Sequence, residues 1–322
     1  MSVKIVFIGC GGIANAHMER LAKISDVKFV GMCDIEKEKS EKAARIYGGQ
    51  VFTDYKKMLK EIEVDACYIC IPPFTHKDQE ITCIEKNIPF FIEKPVHLDL
   101  KKAKKIAEKI KEKKIITSVG YVLRYFDIVD KAKEILKNEE IGLVRGTYWG
   151  EVPGGGYGWT HKKEMSGGQL IEQATHTVDM MRYFLGEIEQ VFAYKFEGIN
   201  NKIYQGYNSE DASTTLIKFT NGIIGNISCT WLLRGFSSSV EVIGKDIILT
   251  YQGNTITIEK GNKKETYISN LDPMLEEDKA FISSIIKKDP SMIKSDYIDA
   301  LKTFEVTIRA NESMKKGKVI NI

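Results

Sequence analysis

The chain has 322 residues, 43% of them hydrophobic and 28% charged, which is the balance of an ordinary globular protein and more length than one compact core usually holds. Its 47 basic and 44 acidic side chains leave a net charge of +3, too near balance to argue for nucleic acid or an anionic membrane surface as a partner. No apolar run approaches the length of a membrane span, and the first strand begins by Val3, so neither a signal peptide nor a membrane anchor is expected and a cytoplasmic setting is.

The stretch Val3–Ala14 opens the chain. Val3, Ile5 and Phe7 belong to a short apolar run that suits a strand buried on both faces. Gly9, Gly11 and Ala14 follow at the G-x-G-x-x-G/A spacing, with Gly12 and Ile13 between them, and Ala14–Lys23 reads as a helix. The first glycine permits a sharp turn and the second lets a pyrophosphate approach the backbone. The small third residue lets helix and strand close together. Unpaired N–H groups at the helix start would then face the phosphates. A second strand-like run, Val27–Cys33, ends in Asp34, where a carboxylate can accept hydrogen bonds from an adenosine ribose. Taken singly, the glycines could serve packing and Asp34 could cap a surface helix. In this order they point to dinucleotide binding. Asp34 would repel a 2′-phosphate and so favours NAD, while Lys37 and Lys39 lie close enough to leave NADP open.

Up to residue 120, strands and helices alternate. Strands are expected at Lys4–Ile8, Val27–Cys33, near Val51, and at Ala66–Ile71, Phe90–Ile92 and Ile115–Val119, with helices beginning near Gly12, Glu36, Tyr55, His76 and Leu98. This grammar is α/β and predicts a doubly wound parallel sheet. Three further segments end at strand carboxyl termini, where such sheets bind ligands: Ile71 to His76 with Pro72 and Pro73, Glu93-Lys94-Pro95, and Gly120-Tyr121 running on to Arg124. Pro72, Pro73, His76, Glu93, Lys94 and Arg124 are therefore candidate cofactor contacts, and Tyr121 a candidate substrate contact.

After residue 120 the pattern changes. A helix of about Tyr125–Leu136 and a strand, Leu143–Trp149, lead into a glycine-rich loop, Gly150–Gly168, whose Tyr157, Trp159 and His161 are placed to shape a substrate pocket. A helix of about Gln169–Leu185 follows, then successive strands. Asn221-Gly222 marks a hairpin, because the pair favours positive φ at both central positions. Beyond it Ile223, Gly225, Ile227, Cys229 and Trp231 alternate with Ile224, Asn226, Ser228 and Thr230. Turn signals at Gly244, Gly253 and Gly261 extend a meander, and helices near Pro273–Ile286 and Ser295–Met314 close the chain. The expectation is a dinucleotide-binding domain, 1–120, and an α+β domain, 121–322, with a largely antiparallel sheet that serves substrate binding and oligomerisation.

The six cysteines are scattered, mostly within apolar strands. Cys67 and Cys70 have a redox-like spacing but lie on a strand, and no second pair completes a zinc site. Buried thiols in a reducing compartment are expected, and no metal. Lys94 follows an apolar strand and precedes Pro95, which biases it to extended geometry and admits a cis bond. Such a lysine is either a surface turn residue or a group pointing at the cofactor. Glu172, His176 and Asp179 are spaced i, i+4, i+7, so a continuous helix would put them on one face, as a structural ion pair or as catalytic groups.

These residues together resemble the glucose–fructose oxidoreductase/inositol dehydrogenase family. The match runs through Gly9 to Ala14, Asp34, Pro72-Pro73 with His76, Glu93-Lys94-Pro95, Gly120-Tyr121 with Arg124, Ser166-Gly167-Gly168, Glu172 to Asp179, and Gly317-Lys318-Val319. The resemblance implies a Rossmann domain followed by a domain built on a large open sheet. The implied activity is oxidation or reduction of a hydroxyl carbon of a sugar, cyclitol or related polyol. In that reading Lys94 and His176 are catalytic, and either Glu172, longer than the aspartate many relatives carry, or Asp179 orients the imidazole. Lys94, Tyr121, Trp159, His161, Glu172 and His176 would meet the substrate, and assembly would be a homodimer or homotetramer. Two alternatives come from other classes: an NAD-binding sensor that has lost turnover, and an enzyme using bound NAD for a transient redox step in elimination or glycoside cleavage.

Overall fold

The computed structural model describes residues 2–156 and 158–322, so Tyr157 lies outside the described residues. The chain forms two compact units, one of residues 1–125 with 272–301 and the other of 126–271 with 302–322.

The first unit begins with β1 (Val3–Ile8), α1 (Gly12–Leu21), β2 (Val27–Cys33), α2 (Lys37–Tyr47), β3 (Gln50–Phe52) and α3 (Tyr55–Glu61). It continues with β4 (Ala66–Ile69), α4 (Gln79–Glu85), β5 (Phe90–Ile92), α5 (Leu100–Lys113) and β6 (Thr117–Val119). The six strands form a parallel sheet in the order β3-β2-β1-β4-β5-β6. This is the doubly wound order, which reverses between β1 and β4 and leaves a ligand crevice beyond the strand carboxyl ends. The fourth strand stops at Ile69, short of the expected Ile71, because Pro72 and Pro73 cannot donate to a ladder and instead start a 3-10 turn over Pro73–Thr75. That turn also delays α4 to Gln79. Aromatic rings stack across adjacent strands, Phe7 on Tyr68 at 4.8 Å and Tyr68 on Phe91 at 5.0 Å, and Phe281 meets Tyr68 edge-on at 5.5 Å.

The second unit holds α6 (Asp127–Leu136), β7 (Ile141–Glu151), α7 (Lys163–Ser166), α8 (Gln169–Glu172) and α9 (Thr175–Leu185). After them come β8 (Ile188–Phe196), β9 (Ala212–Phe219), β10 (Ile224–Thr230), β11 (Leu232–Gly244), β12 (Ile247–Gln252), β13 (Thr255–Lys260) and β14 (Lys263–Ile268). The chain then runs through α10 (Pro273–Lys287), which belongs to the first unit, and α11 (Tyr297–Lys316) to β15 (Ile320–Asn321). The sheet order is β14-β13-β12-β11-β7-β10-β9-β8-β15, antiparallel throughout except for the β7–β10 pair. Along β10, buried Gly225, Ile227 and Cys229 alternate with half-buried Asn226, Ser228 and Thr230, as the alternation predicts.

Two local expectations are corrected. The hairpin between β9 and β10 is present, but only Gly222 of the Asn-Gly pair has positive φ, +87°. Asn221 instead donates from Nδ2 to the Leu185 carbonyl at 2.8 Å and accepts from the Ile223 N–H, so a longer loop replaces the tight turn. The single helix expected over Gln169–Leu185 is broken at Gln173 and Ala174. There the hydrogen-bond ladder slips: Ala174 N–H reaches back five residues to Gln169, and Thr177 N–H only three to Ala174. Thr177 Oγ1 donates to the Thr147 carbonyl of β7, which ties the start of α9 to that strand.

Candidate active site

The glycine turn is built as the spacing predicts. Gly9 has φ +92°, and a Cβ there would stand 2.2 Å from the Cys70 carbonyl oxygen, so no other residue fits between β1 and β4. At Gly11 and Gly12 no protein atom lies within 4 Å of the Cβ position. Packing does not demand those glycines, whereas close approach of a pyrophosphate does. Ala14 is fully buried against the core, and Ile13 is exposed. Asp34 Oδ2 accepts from the Cys10 N–H at 2.8 Å and Oδ1 from the Glu36 N–H at 2.9 Å, so the acid after β2 is fastened to the turn after β1. These residues fit a dinucleotide. Burial pushes the Cys10 thiol up to about 12, which leaves it protonated and inert.

At the end of β4, Thr75 closes the Pro72-Pro73 turn through its Oγ1 to the Pro72 carbonyl at 2.7 Å. His76 is buried and its Nδ1 pairs with the buried Glu80 of α4. His97 lies beside it, ring centroids 6.1 Å apart, and its Nδ1 accepts from the Leu98 and Asp99 N–H groups. Burial lowers the His97 pKa, and the neighbouring His76 adds to this, consistent with a neutral ring that uses Nδ1 as an acceptor.

At the end of β5 the Lys94–Pro95 bond is cis and Lys94 is half-buried. Glu93 folds back: Oε1 lies 3.0 Å from His17 Nε2, and Oε2 accepts from the Lys94 N–H at 3.1 Å. His17 sits in the middle of α1 with zero exposure. Its Nδ1 lies 2.8 Å from Asp278 Oδ1 on α10, and Tyr68 donates to that same oxygen at 3.2 Å. Burial alone would lower the His17 pKa, but the Asp278 and Glu93 carboxylates outweigh it and raise it to about 10. At the end of β6, Tyr121 is buried, and Arg124 directs Nη1 to the Lys294 carbonyl and to Asp299, both at 2.6 Å.

In the second unit, Glu172 is buried at the end of α8 and His176 is half-buried in the first turn of α9. The break between them replaces the shared helical face that continuous spacing implied. Asp179 Oδ1 accepts from Thr303 Oγ1 at 2.8 Å. Trp159 is half-buried, and His161 is buried with its ring parallel to Tyr207 at 6.2 Å. A cavity of about 320 Å³ is lined by Tyr148, Glu151, Pro153, Gln173, Trp231 and Phe236, among others. Tyr148 donates to Gln173 Oε1 at 2.7 Å. Sequence reasoning passed over Gln173 and Tyr148. The available signal was that Gln173 lies three residues before His176. Among the described residues no group of three or more His, Cys, Asp and Glu is placed to hold a metal ion, and no helix is long and apolar enough to cross a membrane.

A parallel sheet of this order with this turn defines a dinucleotide-binding fold. Residues 3–121 match the oxidoreductase family with an NAD-binding Rossmann fold, and residues 129–250 match the GFO/IDH/MocA C-terminal domain. The chain belongs to that family of NAD-dependent oxidoreductases. It is 28% identical to scyllo-inositol 2-dehydrogenase (NAD(+)) of Bacillus subtilis, across 99% of this chain and 96% of that protein. It is 26% identical to myo-inositol 2-dehydrogenase of Thermotoga maritima, across 99% and 98%. Among solved structures, levoglucosan dehydrogenase in complex with NADH has the same fold, with a TM-score of 0.91 over 100% of this chain and 99% of that one at 19% identity.

The His17 network makes stability depend on pH. A histidine whose folded pKa of about 10 exceeds its ordinary 6.5 contributes stability that is fully present below pH 6.5 and is lost as pH rises toward 10. The stability gap between the natural protein and His17→Asn, read from urea midpoints, should therefore be widest near pH 6 and shrink steadily above it. A gap that stays constant would mean that His17 is neutral when folded.

Proposed function

We propose that this enzyme transfers hydride between NAD and a hydroxyl carbon of a sugar, cyclitol or related polyol, with Lys94 and His176 as its catalytic pair. The observation that carries the reading is Lys94 at the carboxyl end of β5, in the same parallel sheet whose β1 turn fits a pyrophosphate. The full-length likeness to two inositol dehydrogenases supports the substrate class.

NAD supplies the hydride acceptor. His176 takes the hydroxyl proton on its imidazole, and the Lys94 ammonium donates a hydrogen bond to the same substrate oxygen as charge develops there. Glu172 orients the imidazole. Gly9, Gly11, Gly12, Ile13 and Ala14 receive the pyrophosphate and Asp34 the ribose hydroxyls, while Pro72, Pro73, His76, Glu93 and Arg124 shape the cofactor site. Tyr121, Trp159 and His161 complete the substrate site. In this reading residues 1–120 serve the cofactor and 121–322 serve substrate binding and assembly, apart from the segment 272–301, which packs within the first unit. The setting is the cytoplasm, where six buried cysteines remain thiols.

Substitution of either catalytic residue should lower kcat and leave NAD affinity almost intact. His176→Ala should cost roughly 10²–10⁴-fold and Lys94→Ala about 10²–10³-fold. The double variant should be less impaired than the product of the two, because both act on one oxygen, and Glu172→Gln should cost less than either. Single-turnover hydride transfer at saturating NAD, against a panel of sugars and cyclitols, is the measurement. Near-native rates in both alanine variants would refute the mechanism.

Asp34 should give NAD preference over NADP, measured by titration of each cofactor, and Asp34→Ala should narrow that preference. Tighter binding of NADP by the natural protein would contradict the role.

The face of the nine-stranded sheet away from α6 and α9 exposes Tyr194, Phe196, Leu216 and Ile224, around a groove of about 410 Å³. A second copy of the chain covering this face would bury them, as a dimer or a step toward a tetramer. Light scattering at micromolar concentration should give at least a dimer mass, reduced by Leu216→Asp, and a monomer mass throughout would count against it.

A further inference from the structure

We propose that His17 is a positioning residue for Lys94, acting through the carboxylate of Glu93. The inference rests on the catalytic reading of Lys94 given above, but the geometry that carries it lies wholly within the first unit. His17 has both ring nitrogens on carboxylate oxygens, Nδ1 at 2.8 Å from Asp278 and Nε2 at 3.0 Å from Glu93. Ionised carboxylates only accept, so with both acids ionised both nitrogens carry hydrogen and the ring is an imidazolium; burial raises the Asp278 pKa, and the facing His17 and Tyr68 oppose that shift. Glu93, its side chain mostly buried, is then fixed on three sides. Oε1 is held by His17 and Oε2 by the Lys94 N–H, and beyond them lies Gly120, where a Cβ would come within 2.8 Å of both oxygens. The backbone from which the Lys94 ammonium extends is therefore tied, through one carboxylate and one imidazolium, to the helix that follows the dinucleotide turn.

The titratable groups around His17 come from each packed element. Glu93 follows β5, Asp278 and Glu277 lie on α10, Tyr68 lies on β4 and donates to Asp278, and Cys70 follows β4. The two carboxylates hold the imidazolium charged across the working range. Removing one of them, as in Asp278→Asn, should bring its pKa down from about 10 and let the ring lose its proton at a lower pH.

A structural role alone predicts loss of stability. Positioning predicts more. In His17→Asn, kcat for a polyol substrate should fall about 10–100-fold with KM and the NAD dissociation constant within about threefold of native, since small misplacements of a catalytic group cost rates of this order. Glu93→Gln keeps the side chain's shape and should lower kcat by a similar factor. In Asp278→Asn, the rate of hydride transfer should fall at the pH at which histidine NMR shows His17 losing its proton. In the natural protein the same NMR signal should remain that of an imidazolium at pH 8.5.

A second arm needs no substrate. Acetic anhydride labelling of the NAD-bound enzyme, read by mass spectrometry with exposed Lys101 as internal reference, should show the Lys94 rate changed at least about threefold in His17→Asn, Glu93→Gln and Asp278→Asn. A natural enzyme that oxidises none of the polyols refutes the substrate reading, and the labelling and NMR still decide the role of His17. A neutral His17 at pH 7, or Lys94 labelling unchanged in the folded Glu93→Gln and Asp278→Asn variants, would overturn it.

Discussion

A charged imidazole with no access to solvent is the constraint around which the first unit is arranged. His17 packs edge-on to Phe91 at 4.7 Å and tilted over Tyr68 at 5.7 Å, among rings that would expel a lone charge. Two carboxylates offset that penalty only when both arrive at hydrogen-bond distance, because removing one partner of a buried pair costs roughly 3–5 kcal/mol. One comes from the end of β5 and the other from α10, 261 residues after His17. The chain must therefore return to the first sheet. The same return brings Phe281 onto Tyr68, Asp272 onto Arg20 of α1 at 2.8 Å, and the Lys294 carbonyl onto Arg124.

What was legible in the sequence was whatever is written locally. The glycine turn, the order of strands and helices to residue 120, the acid after β2 and the alternation along β10 each express a short-range rule, so they could be read from neighbouring residues. The six-stranded sheet and the mostly antiparallel second sheet follow from them. The His17 network was not legible, because nothing near residue 17 marks Asp278 as its partner, and a histidine inside an amphipathic helix looks like any other. Arg124 shows the same limit. Its place after a strand gives no sign of the Lys294 carbonyl and Asp299 that meet its Nη1, which only the returning segment supplies.

The break between α8 and α9 marks a different failure. Spacing of i, i+4, i+7 describes a face only while the ladder keeps a single period, and tertiary packing can override that period. Thr177 is committed to β7 through the Thr147 carbonyl, so α9 starts where that bond requires. Glu172 and His176 then belong to separate helical segments. The residue freed at the break, Gln173, turns its amide to Tyr148 and lines the cavity. An interruption that looks like a defect in the helix is what gives the second unit a polar group at that wall.

The parallel β7–β10 pair explains where that cavity lies. Strands that pair antiparallel send their successive loops to opposite edges of a sheet, whereas a parallel pair ends at one edge. Trp149 of β7 pairs with Thr230 of β10, so the chain leaving β7 through Gly150, Glu151 and Pro153 emerges beside Trp231. Between the two strands the chain passes through α8 and α9, which brings Gln173 to the same edge. The second sheet thus contains, at one pair of strands, the arrangement that the first sheet uses throughout: loops gathered at strand carboxyl ends, where side chains distant in sequence meet.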